Sequence, residues 1–383
     1  MTNIKYLGFF LLLIFGCQKE NTMIKEDSDT VTQFDSISTS CIPVSMEVTD
    51  LDYNILGYSF YNPNSVYDLF DFQFLNINLS DRKLRDTIIQ HNQDENFRET
   101  PYKIRTNVED VFMLGKFNHW DDFSDIYLFP YFICQSKSGR LKWEASIGNR
   151  RSLSNNFHIY NNRLFLFSTS FPSDNDYFSL TTDILRFNGE IEKSIRIDSV
   201  NILVQTSMQL NDTQFIIVGR TDWDEAKDIQ LYSIDTVGKK NWHDIKNLEH
   251  HVDFKSSIQL DSCLILMGNV LDAGAGLLYS YDLMNKSISI FTTDENSKYF
   301  DLISSGNYIY LLKGETQNGS LISSFLEIYT ASGELIRTVL LKNYNNTKSI
   351  AFDLDSDGNI IITGDVNDKL YFTRLNSYGD TME

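Results

Sequence analysis

Cysteine, histidine and positive charge are all scarce in this sequence. Four cysteines and six histidines in 383 residues leave little material for metal centres. No His/Cys spacing resembles a zinc site, and His250-His251, being adjacent, would diverge on a strand. Lysine and arginine number 33 against 52 acidic residues, a formal net charge of −19. That balance opposes nucleic-acid or anionic-lipid binding by the body of the protein. No Gly-x-Ser-x-Gly elbow is present, and Gly274-Ala275-Gly276 is not a phosphate loop. No stretch shows a helical apolar period with caps. Beyond the first 17 residues there is no second long apolar run, so nothing else reads as a membrane span.

What is present begins at the N-terminus. Lys5 precedes an almost unbroken apolar run, Tyr6 to Phe15. The run is too short to cross a ~30 Å hydrocarbon core and has the dimensions of a secretory signal core. It ends in Ile14-Phe15-Gly16-Cys17, which resembles the lipobox of bacterial lipoproteins. The resemblance implies a lipoprotein signal region over 1–17, cleaved just before Cys17 to leave that residue lipid-bearing, and an outer-membrane lipoprotein facing the periplasm or the cell surface. Gln18-Lys19-Glu20 resembles a surface-export tag, with Asn21 where a second acid is usual. Residues 18–40 are polar and read as a tether. Cys134 and Cys263 sit in apolar strand-like runs and read as small buried hydrophobes rather than disulfide partners.

Residues 41–383 carry two recurring markers. The first is a short apolar strand closing on a glycine, at Gly57, Gly115, Gly219, Gly268, Gly314 and Gly364, with Ser168 in the equivalent place. These positions recur about every 50 residues, the period of a propeller blade. The second follows each of them as a turn residue, at Asp81, Gly139, Gly189, Gly238, Asn285, Gly333 and Gly379. Gly, Asn and Asp tolerate the positive φ of tight hairpins. In the fourth unit, strands are predicted over Thr206–Leu210, Gln214–Val218 and Ile229–Ile234, with a last one around Trp242. The expected fold is all-β, a β-propeller of four-stranded blades, seven in number, with six or eight as alternatives. The seventh unit ends too soon after Gly379 for a good outer strand. An N-terminal segment is therefore expected to complete it, with Thr30–Phe34 the candidate.

Asp228-Ile229-Gln230-Leu231 followed by Asp235, Gly238 and Trp242, repeated in part by Asp125-Ile126, Gly139 and Trp143, resembles the blades of secreted bacterial β-propeller repeat proteins. It is also similar to quinoprotein-like repeats. Such families imply a rigid ring used for binding or assembly; no single reaction follows from the fold.

Loops joining second to third strands emerge on one face of a propeller. Two of them match: one carries Trp120, Asp121 and Asp122, the other Trp223, Asp224 and Glu225. A third carries Asp174 and Tyr177. Aromatic rings beside carboxylates could stack on sugars and bond their hydroxyls, or anchor a protein partner. The alternative is that the acids are solvated and the tryptophans cap blade edges. Asp353-Leu354-Asp355-Ser356-Asp357-Gly358 starts like a calcium loop, but its twelfth position is Gly364, not the bidentate Glu that an EF-hand needs. It reads as a turn, and neither a metal nor a cofactor is expected. The carboxylates are too numerous to nominate an acid/base pair. The leading expectation is a membrane-anchored binding or scaffold module for a glycan or an envelope protein, with an enzymatic role left open as second to it. The alternatives are a polysaccharide hydrolase or lyase using loop carboxylates, and an outer-membrane assembly factor.

Overall fold

The computed structural model describes residues 37–38, 41–60, 70–78, 84–89, 97–121, 125–147, 152–170, 178–197, 200–221, 227–271, 274–317, 320–341, 350–366 and 369–382. Among these there is no helix. The strands form seven antiparallel meanders, a seven-bladed β-propeller. Blade four is typical: Leu203–Asn211, Gln214–Arg220, Asp228–Asp235 and Lys240–Asn247 lie side by side in chain order. The innermost strands of the other blades are Ile42–Val48, Phe97–Thr106, Val252–Leu260, Ser297–Ser305 and Ile350–Leu354. In blade three the inner position is shared by two short pieces, Ser152–Leu153 and Phe157–Tyr160.

The core is not one mass but seven, one in each gap between neighbouring blades. Ile104, Met113 and Ile133 of blade two meet Leu56 and Phe74 of blade one. The sequence of gaps then runs round the ring until Ile361 and Phe372 of blade seven pack on Ile55 and Leu75 of blade one. Second strands are buried on both faces, as Gln214–Arg220 shows with six buried residues in succession, because each is covered by a sheet on either side. Cys41 and Cys134 are fully buried and no cysteine is bridged among the described residues.

Blade seven is completed by Ile37–Ser38. This strand pairs antiparallel with Lys369–Leu375, Ile37 opposite Leu370 and Ser38 opposite Lys369, and takes the outer edge of the sheet. Thr30–Phe34 lies outside the described residues.

Both sequence markers have a steric cause. Four of the marker glycines stand opposite the start of their blade's inner strand, where that strand bulges; Gly314 pairs with Lys298, one residue earlier, and Gly364 pairs with Ile350 in a ladder without a bulge. The four bulged pairs are Gly57 with Pro43, Gly115 with Pro101, Gly219 with Val204 and Gly268 with Phe254, and the register slips directly after each partner. A Cβ on Gly219 would press on the carbonyl oxygen of Leu203 and lie 2.6 Å from Ile202 Cγ1. In blade three, where Ser168 replaces glycine, the inner strand is interrupted at residues 154–156. The turn glycines adopt positive φ, 86° at Gly189 and 81° at Gly379. They also receive the outer strand of the preceding blade: a Cβ on Gly189 would sit 2.9 Å from the Trp143 ring. In blade five Asn285 does not take the positive φ; Lys286 does, at 51°, and its ammonium lies 5.0 Å from the Trp242 ring of blade four.

Candidate functional site

A bulge inserts one extra residue and re-aims its side chain. In blades one, two, four, five and six the extra residues are Val44, Tyr102, Gln205, Lys255 and Phe300. Asn155 occupies the interruption in blade three. All six line a single axial cavity of ≈ 590 Å³. That volume is in the range that takes a small ligand. The lining also includes Met46, Lys103, Arg105, His158, Ser207, Asp301 and Asp353.

The cavity's amides are largely braces. Gln205 of blade four donates to Asp253 Oδ1 (3.1 Å) and accepts from the backbone N–H of Phe254 (3.1 Å), both in blade five. Asn155 and Asn156 donate to the carbonyls of Gln205 (3.3 Å) and Ser207 (2.8 Å). Lys255 forms an ion pair with Asp253. The amide contacts hold the inner strands of blades three, four and five together, while the Lys255–Asp253 pair lies within one strand.

The charged groups are placed differently. Burial raises the Glu47 carboxyl to about 7, with Asp353 adding repulsion against the attraction of Arg105 and Lys103. Burial likewise raises Asp353 and lowers Lys103. His158 is pushed down to about 3 by burial, reinforced by Arg105 and Lys103. Its Nε2 lies 2.9 Å from Ser207 Oγ, a spacing that suits a nucleophile and its base. An imidazole held that acidic is a feeble proton acceptor at neutral pH, since general bases work best near the ambient pH. The pair is therefore better read as a neutral hydrogen bond.

Of the residues singled out in the sequence, Trp120 and Asp121 end the second strand of blade two, opposite Ile126 and Asp125; their side chains lie outside the described residues. Asp122, Asp174, Tyr177, Trp223, Asp224, Glu225 and Cys17 lie outside them as well. The strand ends flanking these segments are described: Asp121/Asp125, Ser170/Ser179 and Arg220/Asp228. Connectivity puts them on one face. Asp228 accepts hydrogen bonds from the N–H of Thr221 (2.8 Å) and from its hydroxyl, fastening together the two ends of the Trp223 segment.

The Asp353–Gly358 stretch is a turn between the first and second strands of blade seven. Asp355 accepts from the N–H groups of Asp357 (3.0 Å) and Asn359 (2.8 Å) and pairs with Arg374 at 2.6 Å. A guanidinium stands where a cation would need that carboxylate. Among the described residues no group of three or more His, Cys, Asp or Glu is arranged to hold a metal.

No family model matches the chain, and no curated protein matches it. Solved structures do. Prolyl oligopeptidase B from Galerina marginata aligns with TM-score 0.52 and 12% identity over 89% of this chain and 50% of that one. Pyrococcus horikoshii acylaminoacyl peptidase aligns with TM-score 0.52 and 11% identity, covering 90% and 52%. A protein from Lactobacillus plantarum aligns with TM-score 0.51 and 9% identity, covering 87% and 95%. The chain thus spans about half the length of the two peptidases. At such identities the likeness is one of fold.

Proposed function

We propose that this protein is a lipid-anchored, extracytoplasmic binding module of the outer membrane, whose propeller holds a glycan-sized ligand on its axis. The observation that carries the reading is the axial cavity: blade after blade contributes a bulge residue to it, and neighbouring inner strands are braced across it by side-chain amides. A cavity whose walls are fixed before binding loses little on taking up a ligand. Its volume suits a short saccharide better than a folded partner. The signal run and Cys17 support the anchor, and several acyl chains at about 0.8 kcal/mol per methylene would hold it durably. The Asp-aliphatic-x-Leu repeat with its following tryptophan supports kinship with quinoprotein-like binding repeats. The acidic surface argues against nucleic acid as a partner.

Two measurements test this. Metabolic labelling with a fatty acid should mark the wild type and not Cys17→Ser. A melting-temperature screen against short oligosaccharides should find a stabilising ligand, since a ligand at about 100 times its Kd adds roughly 2.7 kcal/mol. Tyr102 is a bulge residue of the cavity wall, so Tyr102→Ala should reduce or abolish the shift. No stabilisation by any oligosaccharide would refute the reading.

A further inference from the structure

Donors and acceptors in the axial cavity do not balance. On the acceptor side, Asp353 Oδ2 takes the backbone N–H of Val48 at 2.8 Å, and Asp301 Oδ1 takes that of Leu302 at 2.8 Å. Glu47, next to the lining residue Met46 but not itself in the lining, takes a backbone hydrogen bond at Thr106. The acids are thus partly satisfied by the protein's own main chain. Lys103 and Arg105 are not. An ammonium offers three donors and a guanidinium five, yet the only hydrogen bond from either head group among the described residues is Arg105 Nη1 to the Ile104 carbonyl, at 3.5 Å. Neither forms an ion pair with any described carboxylate. Both sit on one inner strand, beside His158, which is neutral and spends its Nε2 on Ser207. Both side chains are partly exposed; Asp301, Asp353 and Glu47 attract Lys103 without coming within ion-pair distance of it, so the N–H groups of both cations stay open to an acceptor from outside the protein.

We infer that the ligand is anionic, a saccharide bearing a carboxylate that docks on Lys103 and Arg105. This rests on the glycan-binding reading and narrows it. The carboxylate would take two N–H donors from the planar guanidinium and one from the ammonium, in the charge-assisted geometry that makes such bonds short and strong. Tyr102 and Phe300, the aromatic bulge residues of blades two and six, would flank the sugar rings. Tyr102 keeps its phenol protonated, pushed up to about 12 by burial and by Asp253, so it remains a donor. The protein's overall negative charge would slow the approach of an anion but not its final pairing, because exposed charges are screened within about 8 Å at physiological salt.

The test compares two probes on the full-length protein in detergent by titration calorimetry: a glucuronate-containing tetrasaccharide, and the same tetrasaccharide with its carboxylates reduced to hydroxymethyl groups. The acidic probe should bind about tenfold or more tighter. Arg105→Gln should erase that preference while retaining binding of the reduced probe, and Arg105→Lys should keep most of it. Raising salt should weaken only the acidic probe. Equal affinity of the wild type for both probes overturns the inference and leaves the binding reading intact. Binding of neither overturns both, and the wild-type comparison decides even if Arg105→Gln fails to fold.

Discussion

Replacing Gly219 by alanine adds one methyl group at a point where the chain has no room for it. The new Cβ would fall against the Leu203 carbonyl oxygen and lie 2.6 Å and 2.8 Å from Ile202 Cγ1 and Cδ1. Carbon atoms rest about 3.5–4.0 Å apart, so the inner strand must retreat by about 1 Å. Leu203 is paired with Arg220 in the ladder and Ile202 is wholly buried between blades three and four, so neither can swing aside. Overpacking typically costs about 1–3 kcal/mol, and a backbone obstacle places this case near the upper end. Gly306 supplies the control: φ is 56° and nothing lies within 4 Å of its Cβ position, so alanine there meets only left-handed strain, about 1–2 kcal/mol. Both substitutions lose the same glycine entropy in the unfolded chain, about 0.4–1 kcal/mol, which cancels in the comparison. With m near 3 kcal/mol/M in urea, the difference corresponds to a midpoint lower by roughly 0.3–0.7 M for Gly219→Ala. If Gly219→Ala unfolds no earlier than Gly306→Ala, the steric account of the strand glycines is wrong.

Further outcomes follow from buried charge. Lys313 pairs with Asp294 at 2.6 Å and Glu327 at 2.8 Å, and Glu327 also accepts from Tyr329 at 2.5 Å; Lys313→Met should destabilise by about 3–5 kcal/mol in urea titration, because it strands a buried carboxylate. Glu47 is raised from 4.5 to about 7, so the folded state binds the extra proton. Its contribution is complete below pH 4.5 and is lost as pH rises to 7, amounting to at most about 3 kcal/mol. Glu47→Gln should flatten that part of the stability–pH curve, and an unchanged curve would show that the carboxyl titrates normally. Calcium or a chelator should leave the melting temperature unmoved, since Arg374 already engages Asp355.

The ring was legible because one steric event recurs. Where an inner strand passes close to the second strand, as at Gly57, Gly219 and Gly268, a side chain has no room, so a glycine about every 50 residues announces a blade. Blade three shows the same rule from the other side: a serine at 168 accompanies a broken inner strand. The cavity was not legible. Lys103 and Arg105 sit in a strand that reads as an ordinary alternating segment, and which of its residues turns toward the axis depends on a bulge that has no residue signature of its own. The signal lay across the sheet, in Gly115 opposite Pro101, and pairing has to be known before it can be used. The tryptophan-bearing segments stand out instead, because aromatic and acidic residues between strands are conspicuous in one dimension.

The seam between Ile37–Ser38 and Lys369–Leu375 joins the earliest described residues to some of the last. On a chain that emerges from its N-terminus, six sheets can assemble from neighbouring segments while the seventh waits until Lys369–Leu375 has been made. Until then the short strand meant for its edge is free to pair elsewhere. Blade seven is where assembly finishes, and where a nascent or truncated copy would offer an open edge to a second molecule.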